Sequence, residues 1–248
     1  MALMASSPEQ ALTDRQRAAL ETLLRDLRTI FGARLHALVA YGLVSTTLDE
    51  SYVRTLGLVE RVTFDDLVRA VPLAAEWLRR GLAVPLLLSR HEFERTLDVF
   101  PLEYGNLIAN HVVIAGDDPF ATARVADADR RRGCELQAKS HLIHLREGFL
   151  ETQGDPKHVV RLIASSAASF RTLLTNLAYL ETGNQSDRGL DTNALASAIE
   201  RMIGVRAPLI AEILASTGMS TIADPTALLA RYIDASERIW RFVDRWRE

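Results

Sequence analysis

The apolar residues of this chain change their spacing once, at the turn signal Gly116-Asp117-Asp118-Pro119-Phe120, and that change divides the sequence in two. Before it, short apolar runs alternate with helical segments. After it, almost everything to residue 248 repeats with helical period. A chain of 248 residues suffices for one large domain or two small ones. The pattern predicts an α+β protein, with a small mixed-sheet domain over 1–120 and an all-α helical bundle over 121–248.

In the first part, Thr13-Asp14 can open a helix in which Leu20, Leu23, Leu24, Leu27 and Ile30 recur, with Gly32 ending it. Residues 35–41 form a short apolar strand broken at Gly42, 43–51 are polar and loop-like, and 56–62 form a second strand. Thr63 caps a helix reaching about Arg80, with Asp65 and Asp66 as first-turn charges and Pro72 placed to kink or divide it. Residues 84–88 read as a buried strand, 91–97 as a short helix started by Ser89 or Arg90, 100–108 as a strand, and 111–115 as a short final strand. In the second part, Leu136, Leu142, Leu145, Phe149 and Leu150 form one apolar stripe. Val159, Leu162, Ile163, Ala167, Phe170, Leu173 and Leu174 form another, and Asp155-Pro156 separates the two helices. Three more helices follow, and the stripes read as core.

Composition narrows the function classes. The net charge is −3 and the only basic run, Arg130-Arg131-Arg132, reads as a solvated helix face, so no nucleic-acid partner is signalled. No apolar run reaches the ~20 residues of a membrane span, so no membrane partner is expected. Cys134 is the sole cysteine, which precludes an intramolecular disulfide, reads as an inert thiol and suits a reducing cytoplasm. His141 and His144 stand three apart on a helix, but no further Cys or His completes a four-ligand set, so they read as exposed or interface histidines. Neither a dinucleotide-binding glycine motif nor a Walker A sequence is present.

Six stretches carry a family resemblance: Leu35-His-Ala-Leu-Val-Ala-Tyr-Gly42, Val62-Thr-Phe-Asp-Asp-Leu67, Val84-Pro-Leu-Leu-Leu-Ser89, Phe100-Pro-Leu-Glu-Tyr104, Gly116-Asp-Asp-Pro-Phe120, and residues 139–150 with their Leu-Arg-Glu-Gly-Phe-Leu ending. In this order they resemble a bacterial group within the DNA polymerase β-like nucleotidyltransferase superfamily, whose members join a small nucleotidyltransferase domain to a C-terminal helical bundle. The resemblance implies transfer of a nucleotidyl group from a nucleoside triphosphate. It calls for a Gly-Ser turn after the first strand to hold phosphate oxygens. It also calls for two acidic residues at i and i+2 opening the second strand, where both point to one face. A third carboxylate completes the Mg²⁺ site.

The sequence departs from that pattern at the decisive positions. Gly42 survives as a remnant of the phosphate turn, but Leu43 replaces the serine. The second strand opens Arg54-Thr55-Leu56-Gly57 in place of the acidic pair. Glu103 matches the third acid or is an edge-strand residue facing water. Asp49 and Glu50 are adjacent, so in extended chain they point to opposite sides; they serve as substitutes only if a turn brings them to one ion. The expectation is a degenerate, non-catalytic nucleotidyltransferase-fold protein. Its possible partners are a nucleotide, another protein, or a second copy bound through the helical bundle. The alternatives are an active Mg²⁺-dependent enzyme using Glu103 with Asp49 or Glu50, and an antitoxin-like interaction protein.

Overall fold

The computed structural model describes residues 12–42, 52–183 and 190–245. Leu43, Asp49 and Glu50 lie outside the described residues. Within them the order is α1 (Asp14–Phe31), a 3-10 turn (Gly32–Arg34), β1 (Leu35–Tyr41), β2 (Arg54–Val59), α2 (Phe64–Arg79), β3 (Leu86–Ser89), α3 (Arg90–Glu94), α4 (Pro101–Ala109), β4 (His111–Gly116), α5 (Asp127–Glu151), α6 (Pro156–Thr182), α7 (Thr192–Ile203), α8 (Ala207–Ala215) and α9 (Pro225–Arg245). The chain forms two compact units. One holds the sheet with α1, α2, α3 and α4 from Tyr104 onward; the other holds Pro101–Glu103 and α5 to α9.

In the sheet unit, side chains satisfy the open N–H groups where helices begin. Thr13 and Gln16 form a reciprocal capping box on α1, and Thr63 and Asp66 form another on α2. Asp66 does more than complement the helix dipole. It is buried and accepts two bonds from the Arg34 guanidinium, at 2.9 and 2.7 Å, tying α2 to the turn before β1. Pro72 does not divide the segment into two helices: α2 runs unbroken from Phe64 to Arg79.

The sheet order is β3-β2-β1-β4. β1 runs antiparallel to β2 and β4, and β2 runs parallel to β3. Alternation sends Leu38, Ala40, Val59 and Val112 toward α1 and α2, where Leu20, Leu23, Leu27 and Trp77 cover them. The Trp77 indole N–H donates to Asp26 at 2.8 Å, so the largest side chain in this layer is satisfied as well as buried. Ala37, Val39, Leu56 and Leu58 point the other way, into a smaller cluster with Phe93, Tyr104, Leu107 and Phe120.

Residues 100–108, expected as a strand, form a helix instead. Pro101 occupies the first turn of α4, where its missing N–H costs nothing, and Leu102, Tyr104 and Leu107 are its large buried side chains.

The helical unit is built from α5 and α6 with α7 to α9 around a core that includes Ile163, Phe170, Leu174, Ile210 and Ile239. Helix α5 corrects three expectations. Leu136 and Leu150 are 72% and 77% exposed, so they are not core. Arg130 is buried instead of solvated: it donates to Asn176 Oδ1 at 2.5 Å and lies over the Tyr179 ring at 4.5 Å. His141 is also buried, with Nε2 2.8 Å from the Tyr232 hydroxyl and its ring stacked on Phe170, whereas His144 lies outside and bonds Ser140. Among the described residues, no helix is long and apolar enough to cross a membrane.

Burial lowers the His141 ionisation to about 4, with His144 adding a like charge, against 6.5 for a free imidazole. Between those values the unfolded chain binds a proton that the folded chain refuses, so stability falls as pH drops from about 6.5 toward 4. We expect the melting temperature to decline over this range. His141→Gln, which keeps a hydrogen-bonding side chain but cannot titrate, should flatten the decline when melting is followed against pH.

Asp66 acts in a lower window. Hydrogen bonds from Arg34, then from Thr63, hold its carboxyl well below the ordinary carboxylate range despite burial. Its contribution is complete above the ordinary value of about 4 and is lost as the medium becomes more acidic than that. Asp66→Asn should therefore lower stability at neutral pH and reduce the loss of stability below about pH 4, read from denaturant midpoints at each pH.

Candidate functional site

The resemblance places the chemistry where β1 ends and β2 begins. Gly42 follows β1 with a φ of +71°, a left-handed turn in which a Cβ would meet nothing within 4 Å but would strain the backbone. Beside it, three side chains line up across the sheet end: Tyr41 faces Arg54 on β2 and His111 on β4 in the strand register. Burial raises the ionisation of the Tyr41 phenol, and the nearby Arg54 charge partly opposes that shift.

His111 is held from both sides. Its Nδ1 is 2.9 Å from the Ile108 carbonyl and its Nε2 is 3.2 Å from Asp118 Oδ1, while Phe120 meets the ring edge-on. Asp118 also accepts from the Phe120 N–H at 2.8 Å, so the turn after β4 and the imidazole brace each other. The sequence reading missed this pair. Its available signal was a histidine opening β4 and an aspartate in the turn that closes it.

Strand alternation decides what the second strand can offer. Arg54, Leu56 and Leu58 share one face, the face on which an i, i+2 acidic pair would sit. Leu56 and Leu58 are each 1% exposed, packed in the cluster of Phe93, Tyr104, Leu107 and Phe120. None of the four strands carries an aspartate or glutamate.

The other sequence candidates fall elsewhere. Glu103 is an exposed residue in the first turn of α4, not on an edge strand, and it groups with the helical unit. Asp49 and Glu50 are outside the described residues. Among those described, no three His, Cys, Asp or Glu side chains gather where they could hold a metal ion. Cys134 is fully buried and its thiol is pushed up to about 12 by desolvation, so it stays protonated at neutral pH. At the sheet end, the Arg54 guanidinium and the Tyr41 phenol are hydrogen-bond donors suited to an anion more than to a divalent cation, while both His111 nitrogens are already engaged.

No protein-family model matches the sequence, and no curated protein matches it significantly. A solved structure does: spectinomycin adenyltransferase AAD(9) from Enterococcus faecialis, determined with ATP and spectinomycin. It is similar at a TM-score of 0.55 and 12% sequence identity, over 90% of this chain and 98% of that one. Likeness at this identity is likeness of fold. The chain has the α+β nucleotidyltransferase-like fold, a small mixed sheet followed by a helical region.

The packing of the β2 face can be tested directly. Leu56→Asp puts a carboxylate on the buried face of β2 and should destabilise the protein by about 3 kcal/mol or more, because the charge enters an apolar cluster. Arg54→Asp, at the exposed end of the same face, should change stability by about 1 kcal/mol at most. Equilibrium unfolding in urea separates the two.

Proposed function

We propose that this chain is a nucleotidyltransferase-fold protein that does not transfer nucleotides. The observation that carries the reading is the β2 face: Arg54, Leu56 and Leu58 stand where paired carboxylates would be needed, and two of the three are closed in by aromatic and aliphatic side chains. Mg²⁺ wants a near-octahedral set of oxygens built on carboxylates and substrate phosphates. The described donors at the sheet end do not fit that demand, so no step is assigned to a metal here.

The fold neighbour was determined with ATP. On our reading this chain retains, at most, weak metal-independent affinity for the phosphates of a nucleotide, through Arg54, Tyr41 and the N–H groups near Gly42. Its single cysteine is buried and inert, which suits a reducing cytoplasm. Its biological action then comes from association with other molecules and not from turnover.

Calorimetric titration with each nucleoside triphosphate, with and without Mg²⁺, tests this together with a labelled-nucleotide transfer assay. We expect no transfer and a binding constant that Mg²⁺ does not improve. Micromolar, Mg²⁺-dependent binding with label transfer, abolished by Glu103→Gln or by Asp49→Asn with Glu50→Gln, would overturn the proposal and establish the rearranged acidic site.

A further inference from the structure

Helix α2 is apolar on two sides. Asp66, Ala70 and Trp77 turn inward, and Leu73 and Ala74 pack against the same core. The outward side, which none of the described residues covers, carries Phe64, Leu67, Val68, Val71, Ala75 and Leu78. Phe64 is 78% and Val71 71% exposed. The five larger side chains together leave on the order of 500 Å² of apolar surface in water, at the upper range of what a soluble monomer shows in one patch. The exposed apolar residues of the helical unit do not compare. Leu136, Ile143 and Leu150 recur along α5, but Lys139, Ser140, Arg146 and Glu147 interrupt the row.

The stripe on α2 is nearly palindromic. Counted from Val71, apolar residues stand seven and four positions before it, at Phe64 and Leu67, and four and seven positions after it, at Ala75 and Leu78. An antiparallel copy of the same helix, related by a two-fold axis at Val71, sets Phe64 against Leu78, Leu67 against the small Ala75, and Val71 against itself. Large-against-small pairing lets the two backbones approach.

The charges follow the same symmetry. Asp65, beside the N-terminal end of the stripe, forms no ion pair among the described residues. At the other end Arg79 and Arg80 share one acid, Glu76, and so keep a net positive charge. Antiparallel pairing brings each Asp65 toward the basic end of the other copy, and it opposes the two helix dipoles favourably. A parallel arrangement would put like charges together.

We propose that the outer face of α2 is a self-association surface, and that its occupant is α2 of a second copy of this chain, packed antiparallel about Val71. The pair would bury roughly 1,000 Å², the low end for specific association, so a weak, concentration-dependent dimer is expected. The inference does not depend on whether the protein transfers nucleotides.

Sedimentation velocity on the full chain over a hundredfold concentration range tests it. We expect the mass to rise from one chain to two. Val71→Asp, which sets two carboxylates face to face on the axis, should weaken association at least tenfold. Circular dichroism and melting should stay close to wild type, since the position is exposed. Asp65→Arg should also weaken it, and adding Arg79→Asp should restore it. A chain that stays monomeric at every concentration, including one that instead co-sediments with phosphatidylcholine vesicles, would overturn the proposal. So would a dimer that Val71→Asp leaves intact.

Discussion

Burial of the two central strands on both faces is the constraint on which the sheet unit depends. Residues Ala37–Ala40 of β1 and Thr55–Val59 of β2 are all buried, so neither face of this small sheet is left open. One face receives α1 and α2, held in register by the Arg34–Asp66 and Trp77–Asp26 contacts. The other receives Phe93, Tyr104, Leu107 and Phe120, supplied by two short helices and a turn. A nucleotidyltransferase-like sheet can place chemistry on an open face. Here that face contributes hydrophobic stabilisation along β2, and Tyr41, Arg54 and His111 stand in register at the strand ends. Gly57 belongs to the same economy of space. A Cβ there would come within 2.9 Å of Leu87 on β3, so the absent side chain lets the parallel pair and the helical layer close together.

The helical unit obeys a different rule. Helix α5 buries Arg130 and His141, and partners on neighbouring helices meet them: Asn176 and Tyr179 on α6 for the arginine, Phe170 on α6 and Tyr232 on α9 for the histidine. Buried polar groups of this kind bind the helices in one arrangement because any slip leaves a donor without an acceptor. Burial, with the His144 charge adding to it, keeps the histidine neutral well below its ordinary range, which makes the core sensitive to mild acid.

Much of the fold was legible in local signals. Thr13, Thr63, Ser89, Asp155 and Asp191 cap helices, and Gly32 and Gly204 end them, because caps act over three or four residues and leave their mark in the sequence. Strands β1, β2 and β4 were visible as apolar runs between breakers. Residues 100–108 were not, because Phe100, Leu102 and Tyr104 fit alternation as well as they fit one turn of helix, and so short a run does not settle the period. The α5 stripe was misread for a related reason. Hydrophobicity assigns Leu136 and Leu150 to the core, yet the helix turns its Arg130, Cys134, Ala138, His141 and Leu145 row inward.

The sequence alone determined that β2 lacks the acidic pair, that the chain divides into a sheet part and a helical part, and that Gly42 can take the left-handed turn. These are statements about which residues are present and how their local spacing limits the backbone. Only the tertiary structure decided that the β2 face is filled with packed side chains, that His111 and Asp118 brace the sheet end beside Tyr41 and Arg54, and that the described residues leave one side of α2 uncovered. Each of these depends on groups distant in sequence meeting in space. Spacing along one element cannot tell which of its faces a remote segment will cover.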